Sequence, residues 1–256
     1  MADEGVKSAR RVFEFLEYFA AVQRSVSVAE LATHYGYPNS SVSSIMRTMV
    51  GMGYLSYNGS ARTYLPTARL TFLVDWVATQ LYDQERVRAI MQDLSDATGE
   101  TILLGVQNGI QAQYVQIIDA TGPVRLHAEP GSFRGLGTTA VGHILLARHD
   151  DAQISRLIRR INSDTPDPSK KLDPSALIEK VRKARAQGYA LSISGVVKGA
   201  GAIAMLLPES LGATPLAIGI SSVEAVIVGN EQAYVDLLRT TIQKRTVGAA
   251  NWGEQT

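Results

Sequence analysis

The chain has 256 residues, 45% of them apolar and 19% charged, enough to bury a core and too apolar for a disordered chain. Its 25 basic and 24 acidic residues leave a formal charge of +1, so bulk charge makes no case for a polyanionic partner. Cysteine is absent, which excludes disulfides, thiolate metal sites, Cys nucleophiles and thiol redox sensing together.

From the N-terminus, Val12, Phe15, Leu16 and Phe19 recur at three and four residues and predict an amphipathic helix over 8–22. Ser27 followed by Glu30 reads as a capping box opening a short second helix, which Gly36 closes. Pro38 suits the start of a third helix, with Asn39 or a neighbouring serine as its cap. That helix carries Val42, Ile45, Met46 and Met49 and stops near 51–53. Two aromatic-bearing runs, 54–57 and 62–65, flank Asn58-Gly59 and predict a hairpin whose turn uses the positive φ that Asn and Gly accept; Pro66 ends it. Helix, helix, tight turn, helix, hairpin is the winged helix-turn-helix order. An ordinary small helical domain with a terminal hairpin is the alternative.

Residues 67–98 read as two helices. Leu70, Leu73, Val74, Val77 and Leu81 form the stripe of a connector, and Val87, Ile90, Met91 and Leu94 form a second stripe ended by Thr98-Gly99. From residue 100 the period shortens. Residues 101–106 and 113–118 flank Asn108-Gly109 as a hairpin, and 124–127 is a third strand candidate. A glycine-rich loop, 131–137, leads to a helix over 139–148. Helices follow at 150–161 and 174–187, strands at 202–207 and 216–221, and a terminal helix at 230–245. The expected fold class is α+β: a winged helix-turn-helix over 1–66, a linker helix over 67–82, and a third part over 83–256 with a mostly antiparallel sheet flanked by helices.

The charge is unevenly spread. Residues 5–66 hold six basic side chains against three acidic ones, whereas 67–256 hold nineteen of each sign. The small excess lies on the segment with a DNA-reading topology. A recognition helix presents its N-terminal residues to base edges in the major groove. Here that end is Asn39, Ser40, Ser41, Ser43 and Ser44, with Arg47 one turn on. Asn suits adenine, Arg suits guanine, and Ser serves either type. Ser8 and Arg10 on the first helix and Arg62 in the wing suit phosphate contact. Each serine reads equally as a solvated position, and the hairpin tyrosines Tyr54, Tyr57 and Tyr64 read better as packing than as base stacking.

These stretches resemble the IclR family of bacterial transcriptional regulators. The resemblance rests on residues 8–66, with Leu31-Ala32, Gly36-Tyr37-Pro38 and Gly53-Tyr54-Leu55, and on 124–221. The latter includes Thr138-Thr139-Ala140-Val141-Gly142, Leu145-Leu146-Ala147, Arg185 through Ala190, Gly199 through Ala204, and Ala217 through Ser221. It implies a GAF-like effector-binding domain after the linker, and dimers or tetramers on palindromic double-stranded operator DNA. It also implies small effectors, often organic acids or aromatics. Carried over by position, it implies effector-binding roles for Ala140, Val141, Ser192, Ala200, Ala202, Gly219 and Ser221. Three positions depart from the family pattern. His143 stands for the usual Lys, Ser192 to Ser194 for the usual acids, and Ser44 for an Arg often found in the recognition helix.

A ligand pocket needs apolar walls and a few aimed polar groups. Ala140, Val141, Ala200, Ala202 and Gly219 are small enough to leave room for a medium-sized ligand, an aromatic one included. Thr139 at a helix start, with Ser192 and Ser221, would supply hydrogen bonds. The same small residues also suit close helix–sheet packing, and both readings stand at this stage. Arg125 and His127 are candidates for the pocket mouth.

No nucleophile elbow, Walker loop, dinucleotide fingerprint or zinc HExxH is present, so the chain is not expected to be an enzyme or to carry a cofactor or metal. The acidic first residues do not resemble a signal peptide, and no apolar run approaches the ~18 residues of a membrane span. The expected location is the cytoplasm. The alternative function is a small-molecule sensor whose winged domain contacts protein.

Overall fold

A computed structural model describes residues 6–74, 82–122 and 128–247. The chain divides into two compact units, 1–78 and 79–256.

The first unit contains α1 (Lys7–Val22), β1 (Val26–Ser27), α2 (Val28–Tyr35), α3 (Asn39–Gly51), β2 (Leu55–Asn58) and β3 (Thr63–Pro66). Its core joins Phe15 and Phe19 of α1 to Leu31 of α2, Val42, Met46 and Met49 of α3, and Leu55 and Tyr64 of the hairpin. The predicted stripes are thus the buried faces. β1 pairs with β3, so the hairpin belongs to an antiparallel sheet of order β1-β3-β2. A two-residue strand has no periodicity to betray it.

Three local expectations need correction. Ser27 Oγ accepts the Glu30 amide at 3.2 Å, but the Glu30 carboxylate does not close the capping box. It binds Tyr18 and the Arg24 guanidinium, a cationic donor that outcompetes a backbone amide. The start of α3 is Pro38 itself, with no side-chain cap, and Asn39 is already helical. In the wing, Gly59 does not use positive φ; Arg62 does, at +54°. Asn58 Oδ1 accepts the amides of Ser60 and Ala61, both at 3.1 Å, and this side-chain turn spaces Asn58 from its partner Thr63 by four residues.

Residues 69–74 are helical. The remainder of the expected connector, including Val77 and Leu81, lies outside the described residues, as does the expected strand at 124–127.

The second unit contains α4 (Gln84–Thr98), β4 (Thr101–Asn108), β5 (Gln111–Ile118), β6 (Phe133–Gly135), α5 (Ala140–Leu146), α6 (Asp151–Asp164) and α7 (Pro174–Gln187). It continues with β7 (Ala190–Ile193), β8 (Ala200–Leu206), β9 (Leu216–Val223), α8 (Glu224–Gly229) and α9 (Glu231–Val247). The six strands run in the order β6-β5-β4-β9-β8-β7, antiparallel at every pairing. Strand alternation separates two cores. Ile102, Leu104, Ile203, Met205, Ile218 and Ile220 face α4 and α9. Leu103, Ala202, Ala204 and Ala217 face α5 and α7.

The second face is small because α5 lies close to it. A Cβ on Gly105 would stand 2.6 Å from Val141 Cγ1, and one on Gly142 would stand 2.3 Å from the Leu136 carbonyl oxygen. Thr139 caps α5 by accepting the Gly142 amide at 2.9 Å.

Candidate functional sites

The exposed face of α3 carries Asn39, Ser40, Ser44, Arg47 and Thr48, with Ser43 half-buried at its margin. Ser40, Ser44, Arg47 and Thr48 fall at helical spacing, so they form one stripe. Thr48 was not singled out from sequence; its hydroxyl donates to the Ser44 carbonyl at 3.0 Å. Ser41 is set apart. It is half-buried, and its oxygen accepts from Arg11 Nη1 at 2.5 Å. Ser8 and Arg10 are exposed in the first turn of α1, and Arg62 is exposed at the wing tip. Of the hairpin tyrosines, Tyr64 is buried, Tyr57 packs on its ring at 4.7 Å between centroids, and the Arg69 guanidinium lies 5.2 Å from the Tyr54 ring.

In the second unit a cavity of about 90 Å³ opens between the sheet, all six strands of which contribute lining residues, and the start of α5. Six of the predicted effector residues line it: Thr139, Ala140, Ser192, Ala200, Ala202 and Ser221. Val141 and Gly219 do not. Val141 lies between Gly105 and Gly219, and its methyl groups fill the space both glycines leave. At these two positions the small residues serve close packing.

The predicted hydroxyls line the cavity with their protons already committed. Thr139 Oγ1 donates to the Gly135 carbonyl at 3.1 Å and Ser192 Oγ to that of Thr138 at 2.9 Å. Ser221 Oγ donates to the Gly201 carbonyl at 3.1 Å. Toward a ligand they retain only acceptor capacity. Donors come from residues that sequence reasoning missed: Arg134 on β6, Tyr114 on β5, and Thr101 on β4, whose hydroxyl accepts from the Ala120 amide at 3.3 Å and keeps its own proton. The Arg134 guanidinium lies 5.8 Å from the Tyr114 ring centroid and uses Nη1 on the Phe133 carbonyl, leaving its other N–H groups. Among the described residues the Tyr114 hydroxyl has no hydrogen-bond partner. Burial pushes its pKa up, with Arg134 opposing, so the phenol stays a donor. Arg134 was hidden because β6 sits inside a segment that reads as a glycine-rich loop.

The segment Gly195–Val197 also lines the cavity. Gly195 is required there, since a Cβ would stand 1.9 Å from the Thr138 carbonyl oxygen. Arg125 and His127 lie outside the described residues. Among the described residues no group of three or more His, Asp or Glu could hold a metal ion. No described helix is long and apolar enough to cross a membrane.

The pairing of a helix-turn-helix unit with this sheet unit matches known proteins. The family description "Bacterial transcriptional regulator IclR C-terminal" matches residues 80–246, and "IclR helix-turn-helix domain" matches residues 8–59. The chain belongs to the IclR family.

IclR relatives include the HTH-type transcriptional regulator KdgR of Escherichia coli, 26% identical over 94% of this chain and 92% of its own. The effector domain of the putative IclR regulator from Acinetobacter sp. ADP1 is 28% identical, with TM-score 0.59, over 63% of this chain and 94% of that one. The Thermotoga maritima IclR structure shares the fold, with TM-score 0.71 at 19% identity over 94% and 98% of the two chains. Membership makes this chain a transcriptional regulator with a DNA-binding helix-turn-helix and a C-terminal effector domain; the relatives named here are regulators, not enzymes. Within the IclR pattern, two departures have a structural account. Ser192 replaces the usual acid and ties β7 to the Thr138 carbonyl. His143 replaces the usual Lys; it is buried and its Nε2 lies 2.9 Å from the Gly137 carbonyl oxygen. Burial holds the His143 pKa below its ordinary value.

Proposed function

We propose that the chain is a cytoplasmic regulator that binds a palindromic operator as a dimer or tetramer and changes its operator affinity when a compact carboxylate fills the second unit's cavity. Residues 1–66 bind the DNA, 67–82 connect, and 83–256 bind the effector and support assembly. Asn39, Ser40, Ser43, Ser44 and Arg47 face the major groove, and Ser8, Arg10 and Arg62 face phosphates.

The single observation that carries the effector class is the donor inventory of the cavity. The hydroxyl protons of Thr138, Thr139, Ser192 and Ser221 point at backbone carbonyls; the Thr101 hydroxyl accepts from the Ala120 amide and keeps its proton, and the strongest uncommitted side-chain donors are a guanidinium and a phenol. That pair complements an acceptor-rich anion. Size narrows the choice. The cavity of about 90 Å³ is smaller than the ~150 Å³ that admits benzene, which favours a short acid over the aromatic ligand expected from the small wall residues. A further apolar surface available for assembly lies outside 83–256, on the first unit, where Phe72 is 76% and Phe13 67% exposed.

The test is a calorimetric screen of short monocarboxylates against aromatic acids of equal charge. Binding of a short acid, abolished in Arg134→Gln, supports this reading. Preference for the aromatic series, or binding that survives Arg134→Gln, overturns it.

A further inference from the structure

The contacts of Ser41 differ in kind from those of the other serines on α3. Its oxygen accepts from Arg11 Nη1 at 2.5 Å. The Arg11 guanidinium is itself fixed, its carbon 4.1 Å from the centroid of the Tyr37 ring. Tyr37 donates its hydroxyl to Glu14 Oε2 at 2.8 Å and stacks on Tyr35 at 5.7 Å between centroids and 15° between planes. Tyr35 donates to the Glu14 carbonyl at 2.8 Å. Thus α1 grips the turn before α3 through Glu14, and the first turn of α3 through Arg11.

A guanidinium carries no acceptor, so Ser41 is the acceptor in this bond and keeps its own proton to give. The adjacent cation polarises that O–H further toward donation. A phosphate oxygen offers only acceptors, whereas base edges offer both kinds. Ser40, Ser44 and Arg47 form a separate exposed stripe and make no side-chain hydrogen bond among the described residues. We propose that Ser41 clamps a DNA phosphate rather than reading a base, with Arg11 as the positioning residue that fixes its hydroxyl as a donor. The inference rests on the DNA-binding role of the helix-turn-helix and is independent of the effector reading.

The test uses the full chain and a duplex selected from random DNA by the wild type, with every single-base variant of that duplex. Ser41→Ala is expected to lower affinity about tenfold on the selected duplex and on all its variants alike. Ser41→Thr keeps the hydroxyl and is expected to retain binding. Arg11→Lys keeps the charge but not the planar fork, so it should fall like Ser41→Ala, and the double variant should fall no further. Melting curves establish that each variant folds, and the two Ser41 variants decide the matter if Arg11→Lys does not. Relaxed preference at one base pair in Ser41→Ala, unchanged affinity, or additive losses in the double variant would overturn the proposal.

Discussion

At the residue scale, the effector reading depends on Arg134. A charge-assisted hydrogen bond is worth about 1.5–3 kcal/mol. Arg134→Gln is therefore expected to weaken a carboxylate effector by at least about tenfold, measured calorimetrically, with the melting temperature of the free protein unchanged. His143 makes a different prediction. Its pKa is lowered on folding, chiefly by burial, with the nearby Lys180 adding to the effect and the Gly137 carbonyl opposing it. Below its ordinary value of 6.5 the unfolded chain takes up a proton more readily than the folded one, so stability falls with acidification through that window. Urea titrations between neutral pH and about pH 5 should show that loss, and His143→Gln should flatten it. The small wall residues were legible because Ala140, Ala200 and Ala202 stand at fixed places in a resemblance pattern. Arg134 was not, because a three-residue strand between glycines carries no period.

At the element scale, α5 couples the sheet to the cavity through glycine. Gly142→Ala would drive a Cβ into the Leu136 backbone, which cannot swing aside as a side chain can. The expected cost is about 1–3 kcal/mol, read as a lowered denaturation midpoint, together with weakened effector binding as Thr139 and Ala140 shift. The wing predicts the opposite sign. Arg62 holds a left-handed backbone that costs a non-glycine residue about 1–2 kcal/mol. Arg62→Gly should leave stability equal or up to about 1 kcal/mol higher while lowering DNA affinity, since the wing loses its cation. The long helices were legible from their apolar stripes, and the two hairpins from Asn58-Gly59 and Asn108-Gly109. The turn mechanism in the wing was not: Asn58 builds it with its side chain and Arg62 takes the positive φ. β1, β7 and α8 also escaped notice, since two to six residues span too little of a period.

At the scale of the whole molecule, the formal charge of +1 combines an excess of three basic residues over 5–66, a balanced 67–256, and the two acids Asp3 and Glu4 ahead of them. Under the proposed function, so small a local excess would leave DNA binding to depend on assembly, shape and hydrogen bonds more than on charge. Phe72→Asp, in an exposed apolar stretch, is expected to shift the chain toward monomer in analytical ultracentrifugation and to weaken operator binding with it. Effector and operator must then influence each other equally, because coupling between two bound ligands is reciprocal. The most direct measurement is the affinity of the full-length protein for its selected duplex, with and without a short carboxylate that binds the cavity. The account predicts that the carboxylate changes duplex affinity severalfold, that the duplex changes carboxylate affinity by the same factor, and that Arg134→Gln removes both effects. Duplex affinity unmoved by a carboxylate shown to occupy the cavity would contradict it.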